Sequence, residues 1–458
     1  MIVNDVHSRL NRTEVAEVVE VESLDELAAA VRRAVGLGRA VCVAGGRHAM
    51  GGQQFCAGGV LLDMRRLDRV LDFDRENGVI EVESGIQWPG LIDYLTTQQT
   101  DGGPQWGIAQ KQTGADRLSI GGAISANVHG RGLALKPIVS DVESLVLVGP
   151  DGKPVTCSRD ENHELFRLVV GGYGLLGAIY SVTLRLAPRQ KLERVVEVVE
   201  IDGLIDGFEH RIADGFLYGD FQFAVDGRSE DFLRRGVFSC YRPVHPDTPI
   251  PAGQRALAGE DWQRLLWFAH ADKTRAFEEY ARHYLATSGQ IYWSDLHQLA
   301  DYVDGYHEAL DAIAGATVPA TEMISELYVP RGSLADFMAA AAEDFRRNDV
   351  DVIYGTIRLI ERDDETYLAW ARERFACVIF NLHTVHSDAG LAHSAAAFRR
   401  LIDLAIEQHG SFFLTYHRWA STEQVEACYP QFEDFLRLKR AHDPGEVFQS
   451  DWYRHYAG

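Results

Sequence analysis

The chain has 458 residues, of which 46% are apolar and 24% charged, and its formal net charge is −22. This composition is typical of a globular protein long enough for two domains, and the negative charge argues against nucleic acid or an anionic membrane as a partner. No segment approaches the roughly 18 consecutive apolar residues of a membrane span, and the N-terminus lacks the apolar region of a signal peptide. The six cysteines are scattered without a CxxC pair, which favours free thiols. We therefore expect a cytoplasmic protein with no membrane span, while the sequence indicates no oligomeric state.

The predicted elements at the start of the chain alternate between short strands and helices. An alternating, β-branched segment at 15–22 predicts a strand, and Ser23 then opens an S-x-x-E capping box that predicts a helix. Apolar strands follow at 40–44 and 60–64. The segment 69–84 predicts a hairpin that turns at an Asn-Gly pair. These short elements indicate an α+β domain.

A second α+β unit follows, and the chain then changes character. The segment 141–157 predicts another hairpin, and a helix from about Asn162 leads into a further strand. After about Pro188 the sequence includes a helical stretch at 262–312 that is rich in Trp and Glu, with predicted strands on either side. The change at Pro188 indicates that a second domain begins there.

The strongest motif is VCVAGGRHAMGGQQF at 41–55, in which an apolar strand runs into four glycines within eight residues. Glycine permits positive φ and a close approach of the backbone to a ligand, and successive N–H groups in such a loop form a binding site for anions. The pattern favours a loop that holds the pyrophosphate of a nucleotide. A glycine-rich surface turn is the alternative interpretation.

A second motif, LSIGGAISANVHGRG at 118–132, alternates apolar residues with glycine and small polar residues. The small side chains would let a flat ring system lie against the backbone, and four polar residues could bond ring heteroatoms or phosphates. These four residues are Ser119, Ser125, Asn127 and His129. A tight turn in the protein core is the alternative.

A third motif, GGYGLLG at 171–177, contains G-x-G-x-x-G at Gly172, Gly174 and Gly177. A Rossmann site requires a strand before these glycines and a helix after them. The sequence here predicts a helix before and a strand after. We therefore reject a Rossmann fold and expect a close turn beside the adenosine half of a nucleotide.

Taken in order, GGRHAMGG, SIGGAISANVHGRG and GGYGLLGAIYSVTLRL resemble the vanillyl-alcohol oxidase/p-cresol methylhydroxylase (PCMH) flavoproteins, and HDPGEVFQSDWY at 442–453 resembles their closing segment. The resemblance implies an α+β fold in which a two-subdomain PCMH-type domain binds FAD. We predict this domain at 1–190, completed by the C-terminal segment 422–458. A separate substrate domain at 191–421, an antiparallel sheet flanked by helices, is then expected to cover the flavin ring.

The resemblance also predicts which residues contact FAD. The predicted contacts are Ala44, Gly45, Gly46, Arg47, His48, Ala49, Met50, Gln53, Thr113, Gly114, Ser119, Gly121, Gly122, Ser125, Asn127, His129, Gly174, Gly177, Ile179 and Tyr453. Many members of the family link a histidine of the first loop to the 8α-methyl group of the flavin. His48 stands at that position, so we expect covalent 8α-histidyl FAD. The segment QTGADRLSIGG lacks the second, cysteine attachment point of berberine-bridge-like members, which excludes a bicovalent flavin.

The second domain most resembles the alditol and aldonolactone oxidases and decaprenylphosphoryl-ribose 2-oxidase. In those enzymes a strand like YGTIRLIE carries a Glu-x-Arg pair that faces the flavin, whereas this chain has Thr356 and Arg358. Asn381 and His383 lie two residues apart and so share one strand face. The segment FFLTYHRWAS at 412–421 resembles one in which a Lys or His meets the substrate hydroxyl, and His417 is the candidate there.

Each of these residues has a predicted part in oxidation. A neutral histidine suits a proton acceptor at neutral pH, so we expect His417 to take the hydroxyl proton while Tyr416 and Arg418 face the opposite side. Arg358 would stabilise the developing alkoxide or the reduced flavin, and His383 would bind substrate, with Asn381 as its polar neighbour. A structural role for each histidine is the alternative.

The sequence therefore predicts an FAD-dependent oxidase or dehydrogenase that acts on the CH–OH group of a sugar, polyol or related alcohol. Oxygen or another acceptor would reoxidise the flavin, and no metal is predicted. One alternative is a flavin-dependent reductase or desaturase of an apolar substrate, for which the aromatic residues of the middle region would line the pocket. A second alternative is a flavin-binding protein without turnover.

Overall fold

The computed structural model describes residues 1–100, 102–300 and 305–458. Ser23 caps the first long helix as predicted, because its side chain accepts a hydrogen bond from the backbone N–H of Glu26. The strands before Pro188 are β1 (Ile2–Val3), β2 (Thr13–Glu14), β3 (Glu17–Glu20), β4 (Val41–Ala44), β5 (Val60–Asp63), β6 (Val70–Asp74), β7 (Val79–Glu83), β8 (Trp106–Gly107), β9 (Val142–Val148), β10 (Pro154–Ser158), β11 (Ala178–Arg185) and β12 (Ala187–Pro188). The helices among them are α1 (Leu24–Gly36), α2 (Trp88–Gln98), α3 (Ile120–Ala126) and α4 (His163–Val169).

The remaining elements begin at Lys191. The strands are β13 (Lys191–Glu200), β14 (Tyr218–Phe223), β15 (Arg235–Pro243), β16 (Ile291–Trp293), β17 (Ala320–Pro330), β18 (Val352–Ile360), β19 (Phe375–Val385) and β20 (Ser411–Phe412). The helices are α5 (Leu204–Ala213), α6 (Gly259–Ala271), α7 (Lys273–Ala286), α8 (Tyr306–Ala314), α9 (Leu334–Asn348), α10 (Asp388–Glu407), α11 (Thr422–Cys428), α12 (Phe432–His442) and α13 (Asp451–Tyr456). The fold is α+β, as predicted.

Two sheets form most of the first 190 residues. Strands β3, β5 and β4 form a parallel sheet in the order β3-β5-β4, and an antiparallel sheet has the order β10-β9-β11-β7-β6. Both predicted hairpins are present, as β6-β7 and β9-β10. The third glycine motif lies between α4 and β11, with a helix before it and a strand after it as predicted. The rejection of a Rossmann site is therefore correct.

The C-terminal segment packs against the edge of the parallel sheet. The backbone N–H of Val41 donates to the carbonyl of Val447 at 2.7 Å, and Gln449 donates back to Val41 at 2.9 Å. Just before this segment, Lys439 and Asp443 form a fully buried ion pair at 2.8 Å. The Asp443 carboxylate also accepts the backbone N–H groups of Val447 and Phe448 at 2.9 Å. Because every charge in this cluster has a partner, it fixes the backbone that joins β4.

After Lys191, one eight-stranded antiparallel sheet has the order β16-β13-β15-β14-β18-β19-β17-β20. Alternate residues of a strand point to the same face, so cross-strand rows such as Tyr354, Asn381 and Ile324 share one face. Helices α6 and α7 contact β13, β15 and β18, while α9 and α10 contact β17. The sheet thus presents a row of side chains from neighbouring strands on one face.

All six cysteines are buried and free, as predicted. Among the residues that the structure describes, no helix is both long enough and apolar enough to cross a membrane.

Candidate active site

A cavity of about 650 Å³ lies between the glycine motifs and the eight-stranded sheet. One wall consists of the loop after β4, the segment 112–129 and the turn at 173–179. The opposite wall consists of one face of the sheet together with residues of α6 and α7. A ligand in this cavity would therefore contact backbone and small residues on one side and large side chains on the other.

Glycine is required where the loop after β4 meets the segment that opens α3. A Cβ atom on Gly45 would lie 1.9 Å from Ser119 Oγ, and one on Gly46 would lie 2.2 Å from the carbonyl oxygen of Arg117. Both distances are far shorter than any contact that a real side chain tolerates. The two motifs thus touch each other through these glycines, which leaves their backbone open to the cavity.

This wall also carries polar atoms that have no protein partner. Gln54 Oε1, Ser84 Oγ and Thr113 Oγ1 are buried without a hydrogen bond among the described residues, and all three residues line the cavity. Buried polar atoms are rarely left unpaired, so a polar ligand is the natural partner. The phosphates and ring heteroatoms of FAD would satisfy such atoms, and this wall therefore fits the predicted cofactor.

Seventeen of the twenty predicted FAD contacts line the cavity. They are Gly45, Gly46, Arg47, His48, Ala49, Met50, Gln53, Thr113, Gly114, Ser119, Gly121, Gly122, Ser125, His129, Gly174, Gly177 and Ile179. Arg47 also forms an ion pair at 2.9 Å with Asp63, so only part of its guanidinium remains available to a ligand.

The structure does not bring Ala44, Asn127 and Tyr453 to the cavity wall. Ala44 is buried inside β4. Asn127 adopts φ 50 at the end of α3, where its amide donates to Asp363 at 2.9 Å and accepts from the backbone of Val139 at 3.1 Å. The hydroxyl of Tyr453 donates to Glu446. Each of these three residues is thus engaged within the protein itself.

His48 is paired with a second histidine that the motif does not contain. His48 Nδ1 and His7 Nε2 lie 2.8 Å apart, and both residues line the cavity. Burial, together with the neighbouring His7, lowers the pKa of His48 to about 3, and burial lowers the pKa of His7 as well. Both imidazoles are therefore neutral at ordinary pH, and one ring donates its N–H to the other in a hydrogen bond.

On the opposite wall, Glu326 of β17 forms the centre of a buried hydrogen-bond network. Its Oε1 lies 2.6 Å from His129 Nε2 and accepts from Tyr328 at 2.6 Å and from Cys377 at 3.3 Å, while its Oε2 accepts from Tyr416 at 2.7 Å. Burial alone would raise its pKa, but the His129 imidazole and the hydrogen bonds from Tyr328 and Tyr416 outweigh burial and lower it to about 2. Glu326 is therefore ionised, and Tyr416 connects it to the cavity.

Three members of this network, His129, Glu326 and Cys377, have ligand atoms within 4.8 Å of one another, which is close enough to hold a metal ion. The 2.6 Å between His129 Nε2 and Glu326 Oε1 is, however, the length of a direct hydrogen bond. Two ligands of a tetrahedral zinc ion with bonds of 2.0–2.1 Å would lie about 3.3 Å apart. The geometry favours a hydrogen-bond network over a metal centre.

Arg358 of β18 lines the cavity close to this network. It is 6% exposed, its Nε lacks a hydrogen-bond partner, and it forms no ion pair among the described residues. It stands opposite Cys377 in the register of β18 and β19. A buried guanidinium without an anion is costly, so this position is suited to an anionic or polar ligand group. Asn381, two rows along the same face, also lines the cavity.

The structure does not bring His417 to the cavity. Strand β20 ends at Phe412, and the chain then turns, so the expected strand alternation does not apply. The ring of His417 packs against Trp419 with centroids 4.2 Å apart, whereas Tyr416 lines the cavity. Arg418 donates to the carbonyl of Gly51 at 2.8 Å. The predicted orientation of this segment is therefore inverted.

His383 shares a strand face with Asn381, as predicted, but it lies beyond the cavity wall. Its ring contacts that of His270 with centroids 5.1 Å apart. His270 Nε2 in turn lies 3.2 Å from Glu322, which does line the cavity. His383 is thus separated from the cavity by its neighbours.

Comparisons with known proteins agree with the chemistry of this cavity. Residues 15–158 match the family model of an FAD binding domain. The chain is 25% identical over 454 residues to L-gulono-1,4-lactone dehydrogenase of Mycobacterium tuberculosis, covering 96% of each chain. It is 24% identical over 466 residues to cytokinin dehydrogenase 4 of Oryza sativa subsp. japonica, covering 94% of this chain and 84% of that protein. It is 30% identical over 150 residues to L-gulonolactone oxidase of Mus musculus, covering 32% of each.

Proposed function

Because the chain is an FAD-dependent oxidoreductase of the vanillyl-alcohol oxidase/PCMH type, we propose that it oxidises the CH–OH group of a small alcohol. Two of the similar proteins are named for sugar lactones, which supports a sugar, lactone or polyol as the substrate class. Oxygen or another acceptor completes the reaction. The observation that carries the proposal is the hydrogen bond from Tyr416 to Glu326, together with the Arg358 guanidinium, which has no ion pair among the described residues. All three residues face the glycine motifs across one cavity.

FAD is held by a two-subdomain PCMH-type domain at 1–190 that is completed by 422–458, with 191–421 as the substrate domain. The glycine loop and the unpaired polar atoms of the cavity wall support this assignment. When bound, FAD accepts the hydride that leaves the substrate carbon. The residues of the sheet face must then hold the substrate, accept the hydroxyl proton and exclude water.

Tyr416 and Glu326 provide the path for that proton. The substrate hydroxyl donates to Tyr416 Oη, and the phenolic proton of Tyr416 passes to Glu326 Oε2 along their 2.7 Å hydrogen bond. The hydroxyl group of an alcohol becomes strongly acidic as the hydride leaves its carbon. An ionised carboxylate, although a weak base, can therefore accept the proton. The low pKa of Glu326 keeps that acceptor ionised, and His129 holds its other oxygen in place.

Arg358 stabilises the negative charge that develops on the substrate oxygen, because its guanidinium lines the cavity and forms no ion pair with any residue that the structure describes. Asn381 orients the substrate from the next strand. His417 takes no part in this scheme because its ring lies outside the cavity, and His383 acts only through its neighbours at the rim. The catalytic groups are therefore Tyr416, Glu326 and Arg358.

We further propose that His48 is bonded to the 8α-methyl carbon of FAD. The new N–C bond replaces one N–H and one C–H bond, and the two electrons leave through the same acceptor that serves turnover. His7 supports this proposal because its Nε2 lies 2.8 Å from His48 Nδ1, where it can take the departing proton. Acid-denatured protein should keep its yellow colour, and flavin fully released into the supernatant would refute the covalent bond alone.

The test of the main proposal is anaerobic bleaching of the flavin by a panel of polyols, sugar lactones and aryl alcohols, followed by reoxidation in air. At least one alcohol should bleach the wild-type protein and fail to bleach Glu326→Gln at a comparable rate. A protein that no alcohol bleaches is not an alcohol oxidase. Dithionite is the positive control for reducibility. A flavin that dithionite bleaches and no alcohol bleaches refutes the proposal, whereas a flavin that stays yellow even with dithionite is inaccessible to reductants.

A second candidate is a reductase or desaturase of an apolar substrate, which the aromatic lining of the substrate wall favours. The aromatic residues on that wall include Trp262, Phe277, Tyr280, Tyr284, Tyr292 and Tyr354. In this case an apolar alkene should reoxidise the photoreduced flavin in the absence of oxygen. The aldehydes and ketones that correspond to the alcohols of the panel should not.

A further inference from the structure

The end of the cavity farthest along the sheet from β17 contains a second cation without an acid partner. Arg194 of β13 lines the cavity and is surrounded by the rings of Tyr241, Tyr284 and Tyr292, whose centroids lie 4.5–5.2 Å from its guanidinium carbon. Its Nε donates to Tyr241 Oη and its Nη1 to Thr287 Oγ1, both at 2.9 Å. Among the described residues no carboxylate forms an ion pair with it. Its Nη2 is thus the nitrogen left for a ligand.

Two further residues at this end have buried side-chain nitrogens without a hydrogen-bond partner among the described residues. His297 is 6% exposed, lines the cavity, and has no hydrogen bond to either ring nitrogen among the described residues. Its ring packs on that of Tyr241 with centroids 4.4 Å apart, next to Arg194. Arg131 also lines the cavity, and its Nε is buried without a partner. We call Arg194, Arg131 and His297 the distal site.

The charges of the distal site do not balance. Arg131 lies 3.9 Å from Asp220, which is too long for a hydrogen bond, and donates its other nitrogen to the backbone carbonyl of His297 at 3.0 Å. Within the part of the chain that the structure describes, Asp220 is the acid that lines this end, against two guanidinium groups. Burial, together with the nearby cations, lowers the pKa of His297 well below its usual value, so the imidazole adds no charge but can donate one N–H. One positive charge therefore remains in excess in a buried position.

The distal site and Arg358 lie on the same face of the sheet. Strands β13 and β18 are separated by β15 and β14, which places their backbones about 14 Å apart at a strand spacing of about 4.8 Å. Between them Asp220 and Gln222 of β14 line the cavity, and Tyr354 of β18 and Tyr284 of α7 line it beside them. A substrate that reaches from Arg358 to Arg194 would thus pass polar and aromatic side chains and end on a cation.

We propose that the distal site binds the carboxylate of the substrate, so that the substrate is a hydroxy acid with its alcohol at one end and its carboxylate at the other. This inference rests on the proposed alcohol oxidation and makes its substrate class narrower. The carboxylate accepts hydrogen bonds from Arg194 Nη2 and from His297, and it supplies the negative charge that the pair Arg194 and Arg131 lacks. Charge-assisted bonds of this kind are about twice as strong as neutral ones, which makes the site selective for an anion.

The experiment measures binding without turnover. The flavin-loaded protein is titrated calorimetrically with 3-phenylpropionate, 4-phenylbutyrate and 6-phenylhexanoate, and with the neutral amide of each acid. At least one acid should bind the wild-type protein roughly 10-fold or more tightly than its amide, the usual effect of one charge-assisted hydrogen bond. Arg194→Met should abolish that preference by weakening the acid and leaving the amide unchanged, and Arg194→Lys should keep part of it.

Arg242→Met is the matched control. Arg242 lies beside Tyr241 on β15 and forms an ion pair with Glu193 on the exposed side of the same two strands, so it tests the loss of a neighbouring arginine alone. It should leave the preference for the acid intact. Wild-type protein that prefers none of the acids over its amide overturns the proposal. An Arg194→Met variant that loses acid and amide equally also overturns it, since Arg194 then only packs the tyrosines. Neither result depends on whether any alcohol bleaches the flavin.

Discussion

The two walls of the cavity are built in different ways. The cofactor wall is formed by glycines and short loops, in which the absence of a side chain lets one backbone segment touch another, as Gly45 does at Ser119. The substrate wall is formed by side chains on alternate positions of strands. Two of these side chains, Glu326 and Arg358, carry a charge although they are buried. Changes on the cofactor wall should therefore abolish binding of FAD, and changes on the substrate wall should abolish its reduction.

The largest effect is expected from Gly45→Ala. The added methyl group would lie 1.9 Å from Ser119 Oγ, so the two loops must separate and the FAD site is lost. We expect almost no flavin in the purified variant, measured as the ratio of flavin absorbance to protein. Gly36→Ala is the control, because nothing lies within 4 Å of its added Cβ. Full flavin content in Gly45→Ala would contradict the cofactor wall as described.

Glu326→Gln should bind FAD normally but reduce it about 10²–10⁴-fold more slowly with its substrate, since the acceptor of the Tyr416 proton is no longer ionised. Stopped-flow absorbance of the flavin measures this rate. Glu322→Gln is the matched control on the same strand and face, four residues away at the far rim. Equal rates in the two variants would remove Glu326 from the proton path.

Arg358→Ala should slow flavin reduction about 10²–10³-fold, because the developing alkoxide loses its cation. Arg358→Lys should recover little of the rate, since lysine lacks the planar fork of donors. Single-turnover kinetics at saturating substrate separate this effect from weaker binding. A lysine variant with the wild-type rate would indicate that charge alone, rather than geometry, is needed at this position.

The smallest effect is expected from His417→Ala, which should change the rate of flavin reduction less than about threefold because the ring lies outside the cavity. The pH profile provides a second measurement. Burial lowers the pKa of His417 to about 3, and the pKa of Glu326 is lowered to about 2, so neither group changes its charge between pH 5 and 8. We therefore expect a flat profile from about pH 5 to 8, and an acidic limb that disappears in His417→Ala would restore the histidine mechanism.

The same contrast explains which features could be predicted from the sequence. Glycine motifs are local, and a single residue's identity indicates a positive φ or a close approach. Short segments were therefore enough to predict most of the residues that line the glycine-rich side of the cavity. The substrate wall depends on which strands are neighbours. Glu326 and His129 are 197 residues apart in the chain and meet only because β17 lies opposite the motif at 118–132. Strand alternation in SELYVPRG places Glu326 and Tyr328 on one face, but no local signal indicates what that face meets.

The orientation of His417 was wrong for a related reason. Its neighbours read as a strand, yet β20 has only two residues, and the following turn exchanges the positions of Tyr416 and His417. His7 was missed because it lies outside every motif, in a segment before the first helix, and its contact with His48 is made by the tertiary fold. The domain bounds predicted from the change in composition at Pro188 stay a prediction, although the eight-stranded sheet does begin at Lys191.

The attachment of the C-terminal segment to β4 has a consequence for biosynthesis. The backbone of Val41 forms hydrogen bonds with Val447 and Gln449 at the edge of the parallel sheet. This edge therefore stays unpaired until the ribosome has added about 400 further residues. At about 5–20 residues per second, that delay lasts about 20–80 s. During this time the apolar edge of β4 is exposed in the nascent chain, which makes it a natural binding site for a chaperone at the ribosome. Synthesis of the segment around Val447 and Gln449, rather than synthesis of the glycine loop, should then determine when FAD is first captured.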